Sequence, residues 1–579
     1  MDSQAVLSLL KEELASEEAV VRVNAIRRLP LVAAALGGGK ASKDSLLALI
    51  DKLARETDED ELLFGLAEGL LRLAAYFRVS MLPILERLAV VEETVVRDKA
   101  CECVVALFRQ AEPAELAGSL VPAIQRLAQS ESVIAKISAV NLIGEVYSLV
   151  GESDRRAFIE RINTMFNEDS LMLRRVLASK LGVLCQYMSK DQQLGEVLHH
   201  LKTLGSDDSD QVKMLTIESL VQLAKLFSIE ENKTHVVPLV IQMTNDKSWK
   251  VKHHLAKEFA NLAHAVGPEI TDNSLISIFS ALLRDPENEV RTIAVKSLKK
   301  FVGMISAEKV SMTIVYLSGL TKDSVPLVRM GACEVLQVIL EGSLDPATEK
   351  ETIKFRVQPF VSELLQDREI EVKIEAIRLL KPLIKFQGPA VLELLSSGVY
   401  LLDFESPNWR IRYATLQALL EISHEFRSQK VFEKSIKKFF NQAAYDRACN
   451  VRKLAVQSLK KLSEYLDQPS LSSMLKDFAK IAGNPREFYA YRISALYAIE
   501  ALAPVCEDSA LVKETVTRCL LPLLEDKVPN VRQVVAQILL RSDKPKPIKE
   551  CDSEVVSALA KAAEKETDRE VKLILTKAN

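Results

Sequence analysis

Two short helical patterns alternate along the chain. The segment EVRTIAVKSLKKF at residues 289–301 places one stripe of residues on a single helix face, at positions i, i+3, i+4, i+7, i+8 and i+11: Val290, Ile293, Ala294, Ser297, Leu298 and Phe301. The preceding segment SLISIFSALLRD at 274–285 carries an apolar face of its own, and the polar tripeptide PEN separates the two. This arrangement predicts a first helix (helix A), a tight turn and a second helix (helix B).

A basic residue that follows an aliphatic one marks the first turn of each predicted helix B. These basic residues are Arg22, Arg97, Lys136, Arg174, Lys213, Lys252, Arg291, Arg329, Lys373, Arg412, Arg452, Arg492, Arg532 and Lys572. After Arg97 they recur every 38 to 40 residues, with one interval of 44. The long interval before Arg97 holds one degenerate unit at 58–70, in which Leu63 takes the basic position. The spacing predicts about fifteen units that stack into one all-α solenoid over residues 1–579.

The turn between the two helices carries a second recurring residue. An aspartate precedes the basic residue by six positions in seven units, at Asp207, Asp246, Asp285, Asp323, Asp367, Asp446 and Asp526. An isolated surface ion pair would contribute at most about 1 kcal/mol. Because the two positions recur together, we favour a ladder of ion pairs between neighbouring units.

Two further features concern helix A and the spacing of the units. Proline lies fourteen positions before the basic residue in four units, where it should bend helix A: Pro83, Pro122, Pro238 and Pro359. The long interval contains a loop insertion at 340–355, which we expect to be the weakest point of the array.

The only two tryptophans lie in the same local setting, in SWKVK at 248–252 and NWRIR at 408–412. Helix B is expected to begin three residues before the basic residue, so Trp249 and Trp409 open their helices, with Ser248 and Asn408 as N-caps. Pro326 and Pro529 occupy the same first position in two other units, as is common at helix starts. From these residues alone, two interpretations remain about equally balanced: local packing of each indole on its turn, or an exposed anchor for a partner.

Composition narrows the classes of function. Apolar residues make up 48% of the chain, and 76 basic residues mix finely with 79 acidic ones, so we expect no nucleic-acid partner. No run of about 18 uncharged apolar residues exists, so no membrane span is expected. The N-terminus lacks the features of a secretory signal. The eight cysteines have no zinc-site spacing and are expected to be reduced, mostly buried thiols.

The sequence contains none of the common motifs of catalytic sites. Seven histidines occur without an HExxH motif, and the sequence has no P-loop, no Rossmann glycine pattern and no GxSxG motif. We therefore predict a protein that is not an enzyme and needs no metal or other cofactor.

The period near 39, the aspartate-to-basic spacing and the proline in helix A are typical of HEAT repeats. More narrowly, the sequence resembles the structural A (scaffold) subunits of protein phosphatase 2A. The resemblance rests on four stretches: DEDELLFGLAEGL (58–70), LRRVLASKLG (173–182), DKSWKVKHHLAKEFANLAHAVGPEIT (246–271) and SPNWRIRYATLQAL (406–419). It implies a non-catalytic scaffold that carries a phosphatase catalytic subunit on its last five units (390–579). Exchangeable regulatory subunits would bind the earlier units (1–330).

The resemblance also implies that partners sit on a ridge formed by the intra-repeat turns, which favours partner contact for both tryptophans. The implied contacts with the catalytic subunit are Trp409, Arg410, Asn450, Phe488, Tyr489, Tyr491, Pro529 and Asn530. The implied contacts with regulatory subunits are Asp169, Arg174, Arg175, Asp207, Trp249 and Lys250. Leu171 departs from the family, in which a proline is expected at that turn. The location implied is the cytoplasm, with the nucleus as a second site. The main alternative is another HEAT-repeat adaptor, such as a nuclear transport receptor.

Overall fold

The structure is a computed structural model that describes residues 3–37, 39–342, 350–387, 405–422, 440, 442–464, 466–540 and 552–576. All regular secondary structure in these ranges is helical, which confirms the predicted all-α solenoid of about fifteen repeats. One B helix is described for each predicted unit, and we number the repeats 1 to 15 by these helices. The B helices are Ala19–Arg27, Asp60–Arg72, Thr94–Gln110, Val133–Val146, Leu171–Leu184, Asp210–Ala224, Trp249–Val266, Asn288–Phe301, Pro326–Gly342, Ile370–Arg378, Trp409–Ile422, Cys449–Ser463, Tyr489–Leu502, Pro529–Leu540 and Arg569–Thr576.

Several B helices continue into a short second segment. These segments are Leu29–Leu36, Ala74–Phe77 and Leu380–Gln387 as α-helix, and Tyr147–Leu149, Cys185–Tyr187 and Val302–Met304 as 3₁₀-helix.

The A helices are less regular than the B helices. Single α-helices form Ser3–Leu14, Lys40–Glu56, Leu82–Leu88, Glu152–Met165, Ala307–Gly319, Gln468–Ala482 and Asp552–Lys565; 3₁₀ turns lie at Arg78–Met81 and Leu320–Lys322. Six other A helices each consist of three consecutive segments, and the middle segment is a π-helical turn. These are Pro113–Glu115, Leu116–Leu120 and Val121–Gln129; Lys190–Gln192, Gln193–Val197 and Leu198–Leu204; Ile229–Glu231, Asn232–Val236 and Val237–Thr244; Pro268–Ile270, Thr271–Leu275 and Ile276–Leu282; Lys350–Thr352, Ile353–Val357 and Gln358–Leu365; and Ser509–Thr515, Val516–Leu520 and Leu521–Glu525, the last segment being 3₁₀. The A helices of repeats 11 and 12 fall largely outside the described residues.

The predicted prolines lie where helix A departs from regular α-geometry. A π-helical turn directly precedes the segments that contain Pro122, Pro238 and Pro359. Since proline has no N–H to donate to the preceding turn, a local change of hydrogen-bond register accommodates it. The same turn occurs at Gln193–Val197 and Thr271–Leu275, where no proline follows within the next two residues. The irregularity therefore belongs to the repeat, and proline is only compatible with it.

The chain divides into two compact units, 1–297 and 298–579. Within each unit successive B helices pack side by side. In the N-terminal unit, Asp210–Ala224 lies against both Leu171–Leu184 and Trp249–Val266. The loop insertion expected to be the weakest point lies partly outside the described residues, at 343–349.

One glycine shows how closely neighbouring B helices approach. A Cβ atom at Gly182 would lie 2.7 Å from the Cα of Ser219 in the next repeat. The Ser219 hydroxyl accepts a hydrogen bond from the Gly182 N–H (2.9 Å) and donates one to the carbonyl of Ala178 (2.6 Å). Because any side chain at position 182 would separate the two helices, glycine is required for this packing.

Candidate protein-binding ridge

The turn that precedes helix B is built around the recurring aspartate. In repeats 7, 12 and 14, the side chains of Asp246, Asp446 and Asp526 accept a hydrogen bond from the backbone N–H two residues later, at 2.8 to 2.9 Å. The basic residue of the same repeat folds back onto the turn: Arg532 Nη1 donates to the carbonyl of Asp526 at 2.7 Å. These bonds satisfy backbone groups that helix formation would leave unpaired.

The same aspartate also receives the cation of the preceding repeat, which confirms the predicted ladder. Each ion pair joins a basic residue of one repeat to a carboxylate in the turn of the next, with N···O distances of 2.9 Å or less. The pairs within the N-terminal unit are Arg22–Glu59, Lys136–Glu168, Arg174–Asp207, Lys213–Asp246 and Lys252–Asp285. Those within the C-terminal unit are Arg329–Asp367, Arg412–Asp446, Arg492–Asp526 and Arg532–Glu566.

Several ladder carboxylates are shielded from solvent and held in the charged form. The side chains of Arg329 and Asp367 are 5% and 7% exposed. Burial is the largest single influence on Asp367 and Asp526 and would raise the pKa of each. Hydrogen bonds from Arg329 or Arg492 and from a backbone N–H, together with the charge of nearby arginines, outweigh it, so both pKa values lie below the ordinary range. The hydrogen bond from Arg532 is the main cause of the lowered pKa of Glu566. The ladder thus fixes the turns as charged, hydrogen-bonded structure.

Directly after this rigid turn, helix B begins with residues that face solvent. We call the first two residues of each B helix the ridge. Trp249 and Trp409 open their helices as predicted, and each is 40% exposed. Each indole makes an edge-to-face contact with the aromatic ring four residues later, His253 or Tyr413, at a centroid distance of 6.3 Å. Local packing therefore fixes one part of each tryptophan and leaves the rest available to a partner.

Of the two N-caps predicted beside the tryptophans, one forms and one does not. Asn408 Oδ1 accepts a hydrogen bond from the N–H of Arg410 at 2.9 Å. The Ser248 side chain makes no capping bond, and its hydroxyl instead donates to Asp210 Oδ2 of the preceding repeat at 2.7 Å. The prediction for Ser248 was wrong because a carboxylate from the neighbouring repeat lies within its reach, and a carboxylate is the stronger acceptor.

The residues implied to contact a catalytic subunit lie at the starts of four consecutive B helices in the C-terminal unit. Trp409 and Arg410, Asn450, Tyr489, and Pro529 with Asn530 occupy first or second helical positions and are exposed. Phe488, directly before its helix, is 54% exposed. Tyr491 is half-buried and packs edge-on against Phe488 at 5.4 Å.

Among these residues, Arg410 already forms an ion pair with Glu371 of repeat 10, and both side chains are exposed to solvent. A groove of about 640 Å³ lies beside Trp409 on the B-helix face of the same unit. Its lining includes Arg378, Lys381, Tyr413, Asn450 and Lys453.

The residues implied to contact regulatory subunits divide into two groups. Trp249, Lys250 and Arg175 are exposed. Arg174 and Asp207 belong to the ladder, with Arg174 Nε 2.7 Å from Asp207 Oδ2. Asp169 also contacts Arg174, at 3.1 Å, but its side chain is fully exposed. The ladder pair thus has a structural role, whereas the other residues offer contact surface.

The structure adds ridge and ladder residues that the sequence interpretation missed. Large apolar side chains at first-turn positions are exposed at Val20, Val95, Leu171, Met172 and Leu327. Glu168 and Glu566 fill the ladder position in repeats 5 and 15. Both also lie six positions before a basic residue, so a pattern that admits glutamate as well as aspartate would find them.

Neither a metal-ligand cluster nor a membrane-spanning helix is present in the part of the chain that the structure describes. Among the described residues, no group of three or more His, Cys, Asp or Glu side chains could hold a metal ion. In the same ranges, the helices are too short or too polar to cross a bilayer. Of the cysteines within them, Cys103, Cys185, Cys333, Cys506 and Cys519 are buried, Cys101 is half-buried, and Cys449 on the ridge is exposed. The expectation of mostly buried thiols is confirmed for these residues; Cys551 lies outside the described ranges.

Comparison with solved structures first defines the class of fold. A solved structure of importin β aligns with 99% of this chain and 81% of its own, at a TM-score of 0.55 and 13% sequence identity. At that identity the likeness concerns the fold alone, a solenoid of HEAT-like repeats. A family model described as the PIK3R4-like middle domain matches residues 190–329.

Sequence similarity then identifies the relatives. The A-type regulatory subunit of protein phosphatase PP2A from Saccharomyces cerevisiae is 27% identical over 272 residues, 44% of this chain and 42% of the relative. The beta isoform of the human 65 kDa A-type regulatory subunit of serine/threonine-protein phosphatase 2A is 28% identical over 304 residues, 52% and 50% of the two chains. The resemblance to the phosphatase 2A structural A subunits is thereby confirmed. The chain spans about half the length of the curated relatives it matches.

Proposed function

We propose that this protein is a non-catalytic scaffold subunit of a protein phosphatase 2A complex. The observation that carries the proposal is the ridge: in both units, exposed aromatic and apolar side chains stand on turns that the ion-pair ladder holds rigid. Fixed aromatic anchors lose little conformational entropy when they bind a partner, and tryptophan, tyrosine and arginine are the residues most enriched at binding hot spots. The relatedness to A-type regulatory subunits names the kind of complex.

In this proposal the catalytic subunit binds repeats 11 to 15. Trp409, Phe488 and Tyr489 would supply apolar anchors, each 40% exposed or more. Asn450 and Asn530 would add neutral hydrogen-bonding groups at the second helical position, where they are exposed. Aromatic anchors surrounded by polar side chains are typical of protein–protein interfaces.

Exchangeable regulatory subunits would bind the earlier repeats through Trp249, Lys250 and the neighbouring turns. At repeat 5 the expected proline is replaced by Leu171, which is 46% exposed beside Met172 at 61%. This turn offers a flexible apolar contact instead of a rigid one. For the complex as a whole we propose the cytoplasm as the main location, with the nucleus as a second, which imaging of a tagged chain would test.

The experiment is a binding measurement with two matched tryptophan variants. Trp409→Ala should weaken binding of a purified phosphatase 2A catalytic subunit by about 2 kcal/mol, or some thirtyfold, because a hot-spot anchor is lost. Trp249→Ala has the same chemistry and the same initial exposure, yet it should weaken a regulatory subunit and spare the catalytic one. Melting curves of both variants provide the control for folding. Unchanged affinity of Trp409→Ala for the catalytic subunit would refute the assignment of that turn.

A nuclear transport role, the alternative adaptor function, has only the likeness of fold in its favour.

A further inference from the structure

Two steps of the ladder in the C-terminal unit lack a carboxylate: the step after Lys373, where Ser406 stands, and the step after Arg452. Arg452 of repeat 12 is 8% exposed, and its Nη1 donates to the carbonyls of Asp446 and Arg447 in its own turn, at 2.7 and 3.0 Å. Arg532 binds its own turn in the same way, but Arg532 also reaches a carboxylate in the next repeat. No described carboxylate pairs with Arg452.

The residue at the ladder position of the next turn is Arg486, six positions before Arg492. Other turns that lack an acidic residue at this position have a neutral residue instead, such as Ser130 and Ser406. Repeat 13 alone in the sequence places a cation at this position. In the structure Asn484 takes the place of the ladder aspartate, because its Oδ1 accepts a hydrogen bond from the N–H two residues later, that of Arg486, at 3.1 Å. Arg486 lies two residues further along this turn.

An aromatic ring lies against the guanidinium of Arg452. The ring of Tyr491 lies 5.7 Å from the guanidinium carbon of Arg452, and Phe488 packs edge-on against Tyr491 at 5.4 Å. A cation–π contact of this kind attracts the guanidinium without neutralising its charge. The buried cation is therefore connected through Tyr491 to the exposed Phe488, which directly precedes the ridge residue Tyr489.

The surrounding charges leave this step positive. Arg447 and Arg486 are both exposed, and neither forms an ion pair with a described residue. Asp446 is already bound to Arg412 at 2.6 Å. Two further acidic residues lie nearby, Glu487 directly after Arg486 and Asp477 on helix A, both close to Tyr445. Three arginines therefore outnumber the two carboxylates that have no described ion pair. Like charges so placed repel one another unless an anion lies between them.

We propose that the catalytic subunit supplies the missing carboxylate, as an aspartate or glutamate side chain that binds Arg486 and Arg447 while adjacent apolar residues cover Phe488 and Tyr489. The inference rests on the proposed function, because it names the chemistry that the catalytic subunit must present at repeats 12 and 13. A carboxylate suits this position, since guanidinium groups bind it through two parallel hydrogen bonds. Unlike a purely apolar ridge contact, this one makes association dependent on salt.

The test is Arg486→Asp, which reverses the charge of one of the two exposed arginines. The variant should keep the melting temperature, because Arg486 is exposed and forms no ion pair with a described residue. Its affinity for a purified phosphatase 2A catalytic subunit should fall about tenfold or more at low salt, mostly through slower association. The loss should shrink to about twofold at high ionic strength, since salt screens charges separated by more than a few ångströms.

Two further variants complete the design. Arg368→Asp makes the same change of net charge at an exposed turn position of repeat 10, outside the proposed site, and should leave affinity within about twofold. Arg486→Gln removes the cation without adding an acid, and should give an intermediate loss. Wild-type affinity of both Arg486 variants would overturn this inference alone. Failure of the unmodified chain to bind the catalytic subunit would overturn the proposed function as well.

Discussion

Replacing Asp367 by asparagine tests whether the ladder holds neighbouring repeats together. Asp367 receives Arg329 Nε at 2.6 Å and Nη2 at 2.8 Å, and its Oδ1 accepts the N–H of Glu369 at 2.8 Å. Asparagine can keep the bond to Glu369, because it retains an acceptor oxygen. It removes the negative charge and leaves the guanidinium of Arg329, 5% exposed, without its ion-pair partner.

The expected cost follows from this burial. Removing one partner of a buried ion pair destabilises proteins by about 3 to 5 kcal/mol. Arg329 keeps a hydrogen bond to the carbonyl of Asp323 at 2.6 Å, so we expect the lower end, about 3 kcal/mol. In a repeat array this loss acts locally, because each repeat contacts mainly its neighbours. A single melting temperature would therefore understate the effect.

Hydrogen exchange followed by mass spectrometry resolves such a local change. Amides in Pro326–Gly342 and Ile370–Arg378 should exchange about a hundredfold faster, in line with an opening free energy lowered by about 3 kcal/mol. Asp169→Asn is the matched control: it makes the same chemical change at a carboxylate that also contacts a ladder arginine but is fully exposed. The control should show no change. Unaltered protection of repeats 9 and 10 in Asp367→Asn would refute the reasoning.

Two further predictions concern acid and thiol chemistry. Because the folded-state pKa values of Asp367, Asp526 and Glu566 are lowered, their stabilisation is complete above the unfolded-state pKa of about 4 and is lost as the pH falls through the lower folded values. Helicity and amide protection should thus be unchanged from about pH 7 to 5 and decline below about 4; a decline centred near pH 6 would contradict this. Among the described cysteines, an alkylating reagent should modify Cys449 first, since burial raises the pKa of Cys185 to about 12 and that of Cys101 to about 11. Bound catalytic subunit should protect Cys449, and equal labelling with and without it would count against docking at repeat 12.

The repeat period, the helical pairs and the position of both tryptophans follow from the sequence, because these features depend on local spacing. A basic residue that recurs at a nearly constant interval marks each B helix. The first residue of that helix is found by counting back three positions from the basic residue. The same counting places Arg486 at the ladder position of repeat 13, whereas the structure gives that place to Asn484. Local patterns are informative here because each repeat contacts mainly its neighbours.

Tertiary structure alone decides which repeat each ladder residue pairs with, and how much of each side chain remains exposed. Nothing in SWKVK shows that Ser248 turns to Asp210 of the preceding repeat, or that Trp249 stays 40% exposed. Nor does the spacing show that the ring of Tyr491 lies against Arg452. These contacts join residues that are distant in sequence or depend on competing neighbours. Their geometry is set only when the B helices pack against one another, because packing determines which acceptor each donor can reach.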